Sequence, residues 1–494
     1  MTRRPKLLKK KMFWIGILYF SEGFPLGIFY DLFPVYFRQE GVALWQIGFM
    51  SLLGLSWTLK FLWAPAIDHY RRHRRWMFFV DGLMGAVMLL FALKSGFGPW
   101  VWWAIGAFTL LSATNDIAID GYSIELLDKG ELGLANGLRI GFYRVGMLAS
   151  GFILILSDLI TWPGAYVSAA GILALLGVFC LRAPEEKSFQ SKTSQPLGAE
   201  LRAIFHHPSA FGTVLLFLLG TLWLMNTATK WSENHVLFWP MAFALAAFLW
   251  GSSALSRKFS SQSDESESLE HMTEGPMFGT LMEMLRRPYF IPVIVFILIF
   301  KLADSSMGFM IKPFWVDAGF TATEIGLVSV NIGLVLSILG GIVGGWITDR
   351  IGIFKSLWFL GLFQAISNLG YAFVATVIPT GIEHGMVPLQ TKLMMYSASA
   401  IESFTGGLGT AAFLAFLMAI VNKQRSATEY ALLSSVFALS RSVAGWAGGF
   451  GAESFGYGAY FLLTFFLAFP AYLLLPWVKK MMWYASKQEG WGQK

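Results

Sequence analysis

The sequence predicts an all-α, multi-pass membrane protein: two six-helix bundles with an extra helix pair between them, about fourteen spans of the roughly 20 apolar residues that a bilayer crossing requires. Three observations carry that expectation. The chain of 494 residues is 55% hydrophobic and only 14% charged, against about 25% charged in soluble domains. Its apolar runs have the length of membrane spans and are separated by short basic segments. The order of motifs in the first half recurs in the second. So little polar surface excludes a soluble multidomain protein and makes lipid the solvent.

Each apolar run reads as a helix, because hydrocarbon offers backbone groups no partner outside their own segment. The expected spans are 12–37, 45–67, 76–95, 100–127, 133–157 and 162–182 in the first half. The second half gives 289–312, 323–347, 355–378, 396–421, 427–450 and 457–477. Two further runs, 210–229 and 235–255, lie between the halves. The first run follows Lys9-Lys10-Lys11 and extends from Met12 to Phe37. That exceeds the apolar core of a signal peptide, so a retained first helix is expected. The domain boundaries that follow are 1–187 and 289–494 for the bundles and 188–288 for the connection. Within the connection, residues 256–275 are rich in Ser and Glu without an apolar period, as in a cytoplasmic linker.

The net charge of +7 resembles a nucleic-acid signal only in its sum. The basic residues crowd alternate loops: Arg3 to Lys11, Arg71 to Arg75, Arg182 to Arg202, Arg286-Arg287, Arg350 to Lys355, Lys423 to Arg425 and the tail after Lys479, with Lys392 as an exception. This is the positive-inside pattern, which places both termini in the cytoplasm and makes the bilayer, not nucleic acid, the partner. The single cysteine, Cys180, lies in an apolar run and offers neither a disulfide nor a thiolate metal site. No Gly-rich loop ending in Lys-Ser/Thr and no His-Glu-x-x-His pair occurs. ATP-driven chemistry and zinc hydrolysis are thereby set aside, and no cofactor is expected. An embedded hydrolase or acyltransferase is the remaining enzyme reading.

An internal repeat is visible. Gly41-Val42 followed by Ile47-Gly48 recurs as Gly319-Phe320 followed by Ile325-Gly326, each after a Pro-interrupted helix end at Pro34 or Pro313. Trp63 and Asp68 before one basic loop match Trp346, Asp349 and Arg350 before another, and Arg144 with Gly151 matches Arg441 with Gly448 in spacing. A six-helix unit repeated in one orientation is the parallel-repeat plan of secondary transporters, with the substrate path between the halves.

A charge at mid-bilayer costs about 2.5–3.5 kcal/mol on insertion scales, so it faces a cavity or a partner. Asp116 and Asp120 are four residues apart and share a helix face. Two such carboxylates favour holding a proton between them; the alternative is pairing with loop arginines. Lys301 and Asp304 also share a face and either neutralise each other or couple to protons. Arg144 beside Tyr143, and its counterpart Arg441, can grip a carboxylate or phosphate bidentately. The alternative there is an interhelical bridge to Asp116 or Glu402. Glu22 and Glu402, flanked by Gly and Ser, are lone carboxylates suited to carry a proton. Lys60 reads first as a snorkelling side chain. Asp68 with Arg71, and Asp349 with Arg350, read as a charge latch between helix ends. The substrate-binding candidates are therefore Arg144, Tyr143, Arg441, Lys301 and Lys60. The proton-coupling candidates are Asp304, Asp116, Asp120, Glu402 and Glu22.

The segments FKLADSSMG (300–308), NDIAIDGY (115–122), FYRVGMLASG (142–151), LKFLWAPAID (59–68) and the block from Glu402 to Ser435 resemble AmpG-type muropeptide permeases of the major facilitator superfamily. More distantly, they resemble acetyl-coenzyme A transporters. The resemblance implies the major facilitator fold and proton-coupled import of anhydromuropeptides across the bacterial inner membrane by alternating access, by a monomer. A sugar-peptide cargo carries stem-peptide carboxylates, which gives Arg144 and Lys301 an anionic partner. Another peptide or an acyl-coenzyme A is the alternative cargo. The resemblance does not account for the charges at Glu22, Arg139 and Lys312, nor for the helix pair between the halves. That pair carries no charged residue within its helices and is expected to pack on the outside of the bundles. Reporter fusions test the topology: both termini and residues 256–275 should report cytoplasmic, and either terminus outside would contradict the charge reading.

Overall fold

The computed structural model describes residues 4–60, 63, 67, 72–94, 96–126, 132–184, 284, 287–382, 384–421 and 426–491, and among them the regular structure is helical throughout. The helix pair at 210–255, the linker at 256–275, Asp68 and Arg71 lie outside the described residues. The first span is α1 (Arg4–Gly27), a π turn (Ile28–Leu32) and α2 (Phe33–Gln39). The second is α3 (Leu44–Leu53) and α4 (Leu55–Leu59), followed by α5 (His73–Leu93), α6 (Pro99–Leu126) and α7 (Leu132–Leu181). The second half holds α8 (Phe290–Phe300), α9 (Leu302–Asp317), α10 (Ala322–Glu324) running through a π turn (Ile325–Ile332) into α11 (Gly333–Ile351), and α12 (Ile353–Val377). It ends with α13 (Leu389–Ala419), α14 (Ser426–Leu467), α15 (Phe469–Leu473) and α16 (Leu475–Trp491).

Among the described residues eight helices are long and apolar enough to cross a membrane, and Leu44–Leu59 is a shorter apolar helix. Two of the eight contain two passages each. Thr161 takes φ 65° within α7 and Gly456 takes φ 73° within α14, so each helix turns back between two expected spans. Pro163 follows Thr161 at the start of the new passage, where its missing N–H removes no helix bond. With α6, every one of the twelve spans expected in the two halves has a helix over it.

By internal contacts the chain forms two units. The larger comprises Met1–Phe189, Val295–Ala419 and Ser435–Pro476, and so takes in helices from both halves of the sequence. The smaller comprises Gln190–Ile294, Ile420–Ser434 and Trp477–Lys494. Within the smaller unit Arg287 and Glu429 form a bidentate ion pair with both side chains buried.

In the larger unit the sequence repeat has a physical cause at each position. Gly41 and Gly319 have φ of 78° and 84°, the left-handed conformation that glycine adopts without a Cβ clash. Each ends the first span of its half with the same cap: Val42 N donates to Phe37 O at 2.9 Å, and Phe320 N to Trp315 O at 3.1 Å. This is the Schellman closure of a helix terminus. Gly48 and Gly326 then make the seams between the halves. A Cβ on Gly48 would lie 2.7 Å from Gly449 Cα, and one on Gly326 would lie 2.5 Å from Gly151 O. Thus α3 packs on α14, and α10–α11 packs on α7, through paired small residues that let the backbones touch, as in other membrane helix interfaces.

Overpacking a contact of this kind costs about 1–3 kcal/mol, enough to shift a conformational equilibrium roughly tenfold or more. Gly48→Val and Gly326→Val should therefore separate the halves at this end. Pulsed electron-spin distances between labels at Glu40 and His384 should lengthen and broaden in both variants; native distances would contradict the seam.

Candidate functional site

Two clusters of charge lie within the spans of the larger unit, one in each half. In the first half, Lys60 ends α4 and reaches Asp116 at 3.6 Å and Asp120 at 3.9 Å. Asp120 also meets Arg139 at 3.2 Å and accepts from Tyr19 Oη at 3.0 Å, while Arg139 stacks over the Tyr19 ring. The 3.6-residue helix period brings the two aspartates to one face of α6, and the partners come from α1, α4 and α7. Glu22 on α1 is buried, and its Oε2 has no hydrogen-bond partner; the same holds for Asp116 Oδ1. Glu22 faces Asp116 and Asp120 at electrostatic range. Two buried carboxylates with a free oxygen each are placed to hold one proton between them.

In the second half the backbone breaks at Lys301, with φ −100° and ψ 8°, between α8 and α9. Its ammonium pairs with Asp304 at 3.0 Å; the Lys301 side chain is 3% exposed and that of Asp304 is 28% exposed. Asp304 is therefore partly exposed while its partner is buried. Glu402 on α13 comes close to it: a Cβ on Gly406 would lie 3.8 Å from Glu402 Oε1 and 3.9 Å from Asp304 Oδ1. Lys312 on α9 donates to Ser329 Oγ at 2.8 Å and pairs with Asp31 of the first half at 3.5 Å. The helical span thus holds Asp31 on its π turn, where the extra residue per turn re-aims the side chain.

Arg144 and Arg441 differ from every cation above. Arg144 Nη1 lies 3.4 Å from Ser337 Oγ on α11, across the seam. Arg441 stacks on the Tyr30 ring with 4.4 Å between its guanidinium carbon and the ring centre. Among the described residues neither has a carboxylate oxygen within 4.0 Å. Tyr143, Asp304, Asp31 and Tyr30 surround Arg441 at electrostatic range. Beside Arg441, Ser442 O accepts from Ser51 Oγ at 2.6 Å, so the two repeat-related arginines flank matching seams.

Beyond the arginines, one end of the unit is locked. Arg38 on α2 binds Asp317 on α9 through both carboxylate oxygens at 2.6 Å, and Tyr457 Oη donates to Asp317 Oδ2 at 2.7 Å. Glu453 Oε2 accepts from Leu44 N at 2.8 Å, and Asp158 Oδ2 from Thr323 N at 2.6 Å. In both cases a carboxylate of one half caps the start of a helix in the other, where free N–H groups and the helix dipole favour negative charge.

The sequence candidates are distributed accordingly. Lys60, Asp116, Asp120 and Glu22 come together, as do Lys301, Asp304 and Glu402, with Arg441 and Tyr143 nearby. Lys60 does not snorkel away from the core; it joins the two aspartates, which meet Lys60 and Arg139 among the described residues. Arg144 contacts Ser337, not Asp116 or Glu402. Asp349 and Arg350 are exposed, and Arg350 stacks on Trp346 at 4.0 Å. Sequence reading missed Asp31 and the entire Arg38–Asp317 lock. The opposite charges three and two residues before the repeated Gly41 and Gly319 were the available signal for that lock. It also missed Asp81, fully buried, which accepts from Asn115 Nδ2 at 2.9 Å and Ser21 Oγ at 3.0 Å and thereby fixes the residues beside Asp116 and Glu22.

The model of the Major Facilitator Superfamily matches residues 15–388. The chain belongs to this superfamily. The relatives whose names state a role are permeases and transporters, not enzymes. It is 26% identical over 475 residues to the anhydromuropeptide permease of Escherichia coli strain K12, covering 93% of this chain and 78% of that one. It is 27% identical over 490 residues to an uncharacterized protein of Haemophilus influenzae, covering 96% and 95%. Among solved structures it resembles the POT family transporter PepTSo, with a TM-score of 0.64 at 12% identity, covering 98% of this chain and 99% of that one. The last likeness concerns the fold, which is the major facilitator fold expected from the repeat.

Charge balance in the first cluster is open to test. Lys60→Met leaves Asp116 without its cation in a buried site, and removing one partner of a buried pair is strongly destabilising. Thermal unfolding in detergent should fall for Lys60→Met and recover in Lys60→Met/Asp116→Asn. A double variant no more stable than the single one would show that the pair does not interact.

Proposed function

We propose that this chain is a proton-coupled importer of anhydromuropeptides in a bacterial inner membrane. The two halves, 1–187 and 289–494, form the bundles, and 188–288 joins them. The observation that carries the reading is a pair of arginines at repeat-related positions, Arg144 and Arg441, each touching the other half and neither paired with a carboxylate among the described residues. All four other cations of the site are paired: Lys60 and Arg139 with the α6 aspartates, Lys301 with Asp304, and Lys312 with Asp31. A guanidinium left unpaired in a low-dielectric setting is a ready site for a carboxylate of the cargo, and it binds one bidentately. The permease name of the E. coli relative supplies a cargo class whose peptide stem carries such carboxylates.

With both termini in the cytoplasm, the first span runs outward from Arg4 to Gln39. The Arg38–Asp317 lock then closes the outer end. Alternating access consists of opening that lock, with the exposed Asp349 and Arg350 joining Asp68 and Arg71 in the inner closure. Asp304 with Lys301, and Glu22 with Asp116 and Asp120, carry the proton. A carboxylate whose proton affinity differs between two conformations couples a proton to motion.

Charge-assisted hydrogen bonds contribute about 1.5–3 kcal/mol, so Arg144→Ala and Arg441→Ala should each raise KM for labelled anhydromuropeptide by roughly tenfold to a hundredfold. Unchanged KM in both would remove the arginines from the cargo site. Asp304→Asn should reach the membrane in native amount yet fail to accumulate cargo, and normal accumulation would make the Lys301–Asp304 pair structural.

A further inference from the structure

Beside Asp304 the second half contains a small void. Its walls include Asp304, Gln364, Asn368, Gly361 and Tyr472, contributed by α9, α12 and α15. It offers about 10 Å3 to the centre of a water molecule, which is room for about one water and too little for a hydrated ion. Two of its polar groups are buried and incomplete. Asn368 is 1% exposed and donates from Nδ2 to Thr464 Oγ1 at 3.1 Å, yet its Oδ1 has no partner. One turn away, Gln364 is 6% exposed; its Nε2 faces Asp304 but forms no hydrogen bond of ordinary geometry. Leaving buried amide atoms unpaired costs about 1–3 kcal/mol each, and a single water between them satisfies both. Tyr472 provides the far wall: a Cβ on Gly361 would lie 2.8 Å from its hydroxyl. That hydroxyl donates to Trp358 O at 3.3 Å in an exposed position, where the Trp358 and Tyr472 rings pack edge to face.

We propose that Asp304 exchanges its proton through the second-half helices, by way of one buried water and the Tyr472 hydroxyl, instead of through the cargo cavity. This rests on the proton-coupling role assigned to Asp304 above. In the outward step of the relay, the Asp304 O–H bond breaks as a new O–H forms on the water. One of the water's own protons passes to Tyr472 Oη, and the Tyr472 proton leaves to water near the start of α12 at Ile353, five residues before Trp358. The water and the tyrosine end neutral and the carboxylate ends ionised, beside Lys301. The groups around Asp304 on its other sides are Lys301, Arg441 and Glu402. A separate route lets the proton leave while cargo still fills the space in front of the carboxylate.

Tyr472→Phe keeps the ring and removes the relay hydroxyl, and Ala365→Val fills the void while leaving Asp304 and Lys301 unsubstituted. In proteoliposomes, both variants should sustain counterflow of labelled anhydromuropeptide near the native rate, since counterflow needs no net proton release. Uptake driven by a pH gradient should slow about tenfold or more, the scale of a lost proton-transfer group. Native gradient-driven uptake in both variants would overturn the route. Native protein whose uptake ignores the pH gradient would instead refute the coupling role of Asp304, and the relay with it. A high-resolution experimental map reports on the water independently of transport: density bonded to Asn368 Oδ1 is expected, and an empty void would overturn the relay even if coupling holds.

Discussion

The rest of the structure depends on one constraint: a charge taken out of water must find a partner. The spans carry more ionised groups than a lipid-facing helix tolerates, and the fold accommodates them by bringing opposite signs together from different helices. Lys60 closes on Asp116 and Asp120, Lys301 on Asp304, and Lys312 on Asp31 across the halves. The Lys60 and Lys312 pairs tie separate spans together, whereas Lys301 and Asp304 neutralise each other locally, three residues apart at the break between α8 and α9. The exceptions acquire their meaning from this rule. Among the described residues Arg144 and Arg441 have only a hydroxyl and a ring, and Glu22 and Asp116 each have an oxygen without a partner. In the proposed function these are the places where an anionic cargo or a proton completes the balance.

The second constraint is steric and makes the first one switchable. Two seams built from glycine let the halves approach closely at one end, Gly48 against Gly449 and Gly326 against Gly151. Contacts of that kind are short-ranged and lost together when the backbones separate. The lock adds directional contacts: the bidentate Arg38–Asp317 pair, and the carboxylates of Glu453 and Asp158 on helix starts opposite. In this conformation each of its carboxylates is bound by the other half. The same pseudo-symmetry that generates two glycine seams also generates two carboxylate caps, as a repeated six-helix unit requires.

Much of this was legible in the sequence because membrane burial imposes strong patterns. Span length, basic loops and the repeat at Gly41 and Gly319 follow from backbone satisfaction, topology and cap geometry, and all three are local. The repeat even marked the seam glycines, although their contact partners lie in the other half. Candidate charges were found by type and depth, since each is costly alone. Their partners were not legible. Lys60 read as a snorkelling residue because nothing in its own helix names Asp116 on α6 as a neighbour. Asp31 and Asp81 lay within apolar runs and drew no notice, because one carboxylate in a span has no periodicity. Arg38 and Asp317 resembled ordinary helix ends until the fold placed them 2.6 Å apart.

The central claim is that unpaired cations receive an anionic sugar-peptide while paired carboxylates move protons. Purified protein reconstituted into vesicles tests it directly, with labelled anhydromuropeptide outside and an imposed gradient, acid outside. The account predicts accumulation that follows the gradient, collapses with a protonophore, and falls sharply when the peptide carboxylates of the cargo are amidated. Accumulation of the amidated cargo at the native rate, or accumulation indifferent to the gradient, would contradict it.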